Sequence, residues 1–129
     1  MAHELKKILY VEDEADIQAV ATIALEAVGG YQIKICSSGD EAISTAAAFA
    51  PDLFLLDVMM PGMDGPTTLS KLREIPSLKD IPAIFMTAKV QSNEVEQFKQ
   101  IGALDVIPKP FDPMTLAERI KIIWENNSA

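Results

Sequence analysis

The 129-residue chain has a single cysteine, Cys36, and a single histidine, His3. One thiol cannot close an internal disulfide, so nothing indicates an oxidising compartment. One histidine near the N-terminus leaves no basis for a His-based triad or a zinc site of the usual His/Cys type. Cations are scarce: 11 Lys and Arg stand against 19 Asp and Glu, a net charge of −8. That balance argues against a general grip on nucleic acid or on anionic membrane surfaces, both of which need clustered basic residues. No apolar run approaches the ~18 residues needed to span a bilayer. The first run, Ile8 to Val11, is too short and too closely followed by acids to be a secretory signal. Neither G-x-x-x-x-G-K-[ST] nor G-x-G-x-x-G occurs, so nucleotide binding has no motif behind it. A cytoplasmic protein, without membrane or direct nucleic-acid partners, is the expectation.

The composition is that of an ordinary globular chain, 49% apolar and 23% charged,. Its length suits one compact domain over residues 1–129, with a core from about 6 to 125. Short apolar runs alternate with amphipathic stretches throughout. Ile8–Val11 reads as a first strand. Glu14–Val28 follows as a helix, with Ile17, Val20, Ala21, Ala24 and Val28 on one face. Gly29-Gly30 stops it. Gln32–Cys36 alternates as a strand, and Ser38-Gly39-Asp40-Glu41 opens a helix by a capping-box pattern. That helix ends before Pro51. Leu53–Leu56 is a continuous apolar run. Pro66 suits the first position of a helix carrying Leu69 and Leu72. Ala83–Met86 is a fourth strand, and Val95, Phe98 and Ile101 mark a helix ended by Gly102. Val106-Ile107 is a short fifth strand. Asp112-Pro113 caps a last helix with Leu116, Ile120 and Ile123. Trp124, which closes that helix, is expected to pack with partial exposure.

Five βα units in strict alternation imply α/β architecture, a parallel five-stranded sheet with helices on both faces. Strands buried on both faces read as continuous apolar runs. The first, third and fourth do so, which makes them central. The alternating second and the short fifth become edges. A doubly wound (βα)5 sheet of order 2-1-3-4-5 satisfies this with right-handed crossovers. In such sheets ligands bind beyond the carboxyl ends of the strands.

The residues at those ends form a pattern. The first strand leads into Glu12-Asp13, the third into Asp57, the fourth ends in Thr87, and the fifth leads into Lys109-Pro110. Three carboxylates, a hydroxyl and an ammonium thus share one rim. Three crowded acids repel each other and resist full ionisation. Lys109 offsets part of that, and carboxylate oxygens suit a hard divalent cation such as Mg²⁺. A carboxylate beside Mg²⁺, a lysine and a hydroxyl is equipped as a nucleophile for phosphoryl transfer. Taken singly, each residue has a plainer reading: a solvated acidic turn for Glu12-Asp13, a cap for Asp57, a surface lysine for Lys109. Gly62 and Gly65 read as turn residues, Cys36 as inert packing, and Met59, Met60 and Met63 as packing or loop residues.

Taken together, the motifs resemble the receiver domain of two-component response regulators, close to the stand-alone CheY-like (flavodoxin-like) type. The matching elements are Val11-Glu12-Asp13, Asp57-Val58-Met59-Met60-Pro61 with Met63-Asp64-Gly65, Met86-Thr87-Ala88, and Lys109-Pro110-Phe111. They cover about Lys6 to Trp124. The resemblance implies that Asp57 accepts a phosphoryl group from a phosphohistidine of a sensor histidine kinase or histidine phosphotransfer protein. It implies that Glu12, Asp13, Asp57 and the backbone carbonyl of Met59 hold Mg²⁺, and that Thr87 and Lys109 bind the phosphoryl oxygens. It also implies a cis bond before Pro110. Two positions depart from the family pattern. Glu12 stands where Asp is commoner. Val106 stands three residues before the lysine, where Tyr or Phe commonly moves as the threonine engages the phosphoryl group, so the usual output coupling is expected to differ.

The expected product is a phosphorylation switch rather than an enzyme, though one that assists its own phosphotransfer and dephosphorylation. Its readout is expected on the face of the fourth helix, fifth strand and fifth helix, near Gln91, Val95, Phe98, Lys99, Asp105 and Glu118. Met59 and Lys89 are expected to tune water access. The chain ends about one turn past the last apolar position, so no output domain is expected and a separate downstream protein takes the signal, unless the sequence is a fragment. A monomer or weak dimer is expected. Three alternatives compete. A phosphate-independent docking module would keep the fold, and Val106 is its support. An aspartyl-phosphate phosphatase of the haloacid-dehalogenase type would need a second Asp where Met59 stands. A flavodoxin-like flavin binder would need a phosphate loop where Glu12-Asp13-Glu14 would repel phosphate.

Overall fold

A computed structural model describes residues 4–88 and 92–127. His3, Lys89 and Gln91 therefore lie outside the described residues. Five strands, β1 (Lys7–Val11), β2 (Gln32–Cys36), β3 (Leu53–Asp57), β4 (Ala83–Thr87) and β5 (Ala103–Pro108), form one parallel sheet of order β2-β1-β3-β4-β5. The expected topology is the observed one. β3 and β4 are buried along their whole length, whereas β2 is mostly half-buried. Contrary to the sequence reading, β5 is not short. It runs six residues, because half-exposed Leu104 and Asp105 extend the ladder before Val106-Ile107.

Five helices cover the sheet: α1 (Ala15–Thr22, continuing as a π-wound segment Ile23–Val28), α2 (Gly39–Phe49), α3 (Gly65–Leu72), α4 (Ser92–Gln100) and α5 (Leu116–Asn127). Strand side chains alternate between two cores, as the pleat requires. Ile8, Tyr10, Leu53, Leu55, Ile84 and Met86 meet Ala21, Ala24 and Leu25 of the first helix and Ile120, Ile123 and Trp124 of α5. On the other face Leu9, Val11, Phe54, Leu56, Phe85 and Val106 meet Ala42 and Ala46 of α2 and Leu69 and Leu72 of α3, with Val95 and Phe98 of α4 packed against them.

Two apolar assignments are corrected. Val20 and Val28 are 42% and 47% exposed, while Leu25, absent from the expected stripe, is fully buried. For Leu25 and Val28 the cause is the π winding, in which Gly29 N–H reaches back to Ala24 O. It widens the turn, so a 3.6-residue period no longer marks the inner face after Thr22. Ile101 is likewise exposed, past the end of α4. Trp124 is buried at 7% exposure, packed among Ile120 and Ile123.

The helix ends follow local chemistry. Ser38 Oγ accepts from Glu41 N–H, but Glu41 Oε1 answers to Ser37 N–H, one residue earlier than a strict capping box,. α2 stops at Ala50, which takes a left-handed conformation (φ 54). Asp64 Oδ1 caps α3 through Thr67 N–H, with Pro66 in the first turn. Cys36 is buried and sits 3.4 Å from Thr45 Oγ1, and burial pushes its thiol up, away from reactivity,.

Gly65 is required by close approach rather than by φ. A Cβ there would stand 2.5 Å from Asp57 O and 3.0 Å from Val58 Cα. Backbone cannot yield as a side chain can, so Gly65→Ala is expected to destabilise the fold by about 2 kcal/mol, the range for overpacking. Urea denaturation measures this; an unchanged midpoint would mean that the loop after β3 is free to shift.

Candidate functional site

The carboxyl ends of β1, β3, β4 and β5 place the expected residues together. Glu12 N–H donates to Cys36 O at 3.0 Å, extending the β1–β2 ladder one residue beyond β1. This carries the Glu12 side chain, fully buried, above the sheet edge. Asp57 is the last residue of β3 and Thr87 the last of β4, 4% and 3% exposed. Lys109 N–H donates to Thr87 O at 2.9 Å, which ties the lysine's backbone to the end of β4. The Lys109–Pro110 bond is cis, as expected. Two hydrogen bonds hold the loop after Asp57: Val58 N–H to Met86 O and Gly65 N–H to Val58 O, both 2.9 Å.

Lys109 Nζ spans the two buried acids, 2.9 Å from Glu12 Oε1 and 3.3 Å from Asp57 Oδ2. Asp13, partly exposed, completes an acidic trio whose ligating oxygens lie within 4.8 Å of one another. The cluster includes groups that the sequence reading did not single out. Tyr10 OH lies 3.3 Å from Glu12 Oε1, Glu14 N–H donates to Glu12 Oε2 at 3.2 Å, and the Gln18 side-chain amide donates to Glu12 O. A period-2 reading places Tyr10 on the same strand face as Glu12, so that signal was present in the sequence. Met59 lies in the loop after β3 with its side chain exposed. Val106 stands apart from the acids, 4% exposed in the core beneath α4 and opposite Phe85 of β4. Beside Lys109, Asp16, Ile17, Val20, Pro110 and Phe111 line an open apolar cleft.

Three carboxylates against one ammonium leave two negative charges uncompensated in a buried rim. Burial, and then repulsion from Glu12, raise the Asp57 carboxyl to about 6, and Lys109 only partly opposes them,. For Lys109, burial disfavours its charge. The hydrogen bond to Glu12 and the attraction of Asp57 and Glu12 outweigh that, so its pKa is raised and it stays an ammonium. Burial, followed by the charge and hydrogen bond of Glu12, keeps the Tyr10 phenol protonated and a donor. Hard oxygen donors, close spacing and surplus negative charge fit Mg²⁺,. This trio could hold it.

A response regulator receiver domain profile matches residues 8–121. The chain is 37% identical over 118 residues to the phosphate regulon transcriptional regulatory protein PhoB of Pseudomonas aeruginosa, covering 92% of this chain and 51% of that protein. It spans about half the length of the first curated relatives it matches. Among solved structures, chemotaxis protein CheY4 of Vibrio cholerae superposes with a TM-score of 0.84 at 27% identity, covering 93% of this chain and 99% of that one. A response regulator from Chloroflexus aurantiacus gives 0.82 at 30% identity, covering 95% and 99%.

The raised Asp57 value sets a pH dependence. The folded state holds that proton more tightly than the unfolded chain, so ionisation above pH 6 costs stability, and the cost fades as pH falls toward 4,. In metal-free protein, Asp57→Asn is therefore expected to stabilise by about 1–2 kcal/mol at pH 7. The gain should shrink to nothing near pH 4. Urea unfolding in chelator at the two pH values measures it; a gain that grows on acidification would contradict the charge argument.

Proposed function

The chain belongs to the response regulator receiver domain family of two-component systems, and from that premise we propose that Asp57 is its phosphoacceptor. The observation that carries the reading is the single ammonium of Lys109, held between two buried carboxylates at the ends of adjacent strands. A structural ion pair needs one acid. Two acids and a third nearby make sense where added positive charge and a phosphoryl group are to be accommodated.

A phosphohistidine on a sensor kinase or phosphotransfer protein is the proposed donor. An Asp57 carboxylate oxygen attacks phosphorus as the P–N bond breaks, and the electron pair of that bond leaves with the imidazole nitrogen. At neutral pH most of Asp57 is ionised, as a nucleophile must be,. Glu12, Asp13, Asp57 and the backbone carbonyl of Met59 are the proposed ligands of Mg²⁺, which when bound offsets negative charge on the phosphoryl oxygens. Lys109 exchanges Asp57 for a phosphoryl oxygen, and the Thr87 hydroxyl donates to another. The apolar cleft of Ile17, Val20 and Phe111 lies beside Lys109, where a docked donor would exclude water,. The chain assists this transfer, and the later hydrolysis in which water takes the phosphoryl group from Asp57 as inorganic phosphate, as a switch, not as a turnover enzyme.

For output, a separate downstream protein on the α4–β5–α5 face is the proposed partner, engaged by a cytoplasmic monomer or weak dimer; residues 1–129 are proposed to form one receiver domain. Val95 and Phe98 are half-buried there, and Lys99 and Asp105 stand 4.0 Å apart in solvent, a pair of little energetic weight,. Val106 leaves the usual aromatic position filled by a small side chain. Phe98 instead packs its ring 5.1 Å from that of Phe85, two residues before Thr87 on the same strand.

Intact mass after incubation with acetyl phosphate, with and without Mg²⁺, tests the central reading. One Mg²⁺-dependent phosphoryl adduct, absent from Asp57→Asn, is expected. No adduct on folded protein would favour the phosphate-independent docking module. Val106→Tyr tests the output step. It should cost about 1–3 kcal/mol by overpacking and leave labelling intact. It should also change how phosphorylation alters hydrogen exchange in α4. Identical exchange patterns in both proteins would remove Val106 from the switch.

A further inference from the structure

We propose that Tyr10 is a positioning residue for Glu12, and through it for the divalent cation; this rests on the receiver reading above. Tyr10 is fully buried in the core shared by β1, β3 and the α1 and α5 helices, among Ile8, Leu53, Leu55 and Met86. A hydroxyl in such surroundings is costly unless it is hydrogen-bonded. Phenylalanine would fill the same space without that cost. The hydroxyl does have a partner, Glu12 Oε1 at 3.3 Å. The two residues alternate on β1 and its extension, so the strand pleat itself aims the phenol at the carboxylate.

Glu12 needs such a restraint more than an aspartate would, having one more rotatable bond. Its carboxylate is held on three sides: Oε1 by Lys109 and Tyr10, Oε2 by Glu14 N–H. In the proposed phosphotransfer Lys109 turns toward the phosphoryl group. Tyr10 and the Glu14 amide are then the donors that keep Glu12 aimed at the cation. Outer partners of this kind orient metal ligands and set affinity without touching the metal.

Calorimetric titration with Mg²⁺ tests this on the wild type, Tyr10→Phe, Glu12→Asp and the double variant. Tyr10→Phe is expected to weaken Mg²⁺ binding about tenfold, the low end of the effect of outer partners. In the Glu12→Asp background, whose shorter arm does not reach the phenol, the same substitution should change nothing. A second readout is spectroscopic. The chain has two tyrosines and one tryptophan, so the Mg²⁺ difference spectrum of Tyr31→Phe protein, less that of protein also carrying Tyr10→Phe, should show a near-ultraviolet shift that belongs to Tyr10. Wild-type affinity in Tyr10→Phe would overturn the proposal. So would an equal loss in both backgrounds, which would mark a packing role, or an unmoved Tyr10 spectrum in protein that binds Mg²⁺. A wild type that binds no Mg²⁺ would instead overturn the receiver reading on which the proposal rests.

Discussion

The structure depends on an imbalance of charge at one edge of its sheet. A parallel sheet covered on both faces offers its strand ends as the natural place for polar groups, because everything beneath them is apolar. Here that edge is given three acids and one lysine. Buried like charges would ordinarily be removed by protonation or by solvent. Here Asp57 answers with a carboxyl raised to about 6, while the surrounding hydrogen bonds hold the groups in place. Glu12 is fixed by Tyr10, Lys109 and Glu14 N–H, and the loop after Asp57 is pinned to β4 and to Gly65. The site is therefore held short of positive charge, and it is relieved when positive charge arrives. The proposed phosphotransfer would use that relief.

Much of this was legible because the sequence signals were local and redundant. Continuous apolar runs identified β1, β3 and β4, and the acids, Thr87 and Lys109 follow the strands directly. Pro66 placed the start of α3 to within one residue by proline chemistry alone. What failed depended on geometry that periodicity assumes constant. The π winding after Thr22 buried Leu25 and exposed Val28. Trp124 was hard to place because its burial depends on how α5 lies against the first helix, a tertiary fact. Tyr10 was read as one more apolar strand residue. Its hydroxyl acquires meaning only when Glu12 is seen to turn inward.

The alternation of strand side chains also divides the site. Tyr10, Glu12 and Asp57 belong to the face packed by the α1 and α5 helices, whereas Phe85, Thr87 and Val106 belong to the face packed by α2, α3 and α4,. The proposed chemistry at Asp57 and the proposed output at α4 thus lie on opposite layers. They are joined at the strand ends, where Lys109 N–H meets Thr87 O. A phosphoryl group drawing in both the Thr87 hydroxyl and the Lys109 ammonium would pull on both layers at once.

Whether such a pull produces a switch depends on how firmly the output layer is held. Among the described side chains of α4 none is fully buried, and its hold on the core runs through half-buried Val95 and Phe98. An element so lightly packed sits at the low end of local stability, where modest changes at one contact shift populations. With Val106 too small to act as a swinging ring, the Phe85–Phe98 contact is the aromatic link from β4 to that helix. Thr87 follows Phe85 by two residues on the same face, so any displacement of the end of β4 reaches Phe98 through direct contact. The loss of the usual aromatic does not disconnect the layers. Under the proposed output, the connection runs through a side chain on α4 itself rather than one on β5.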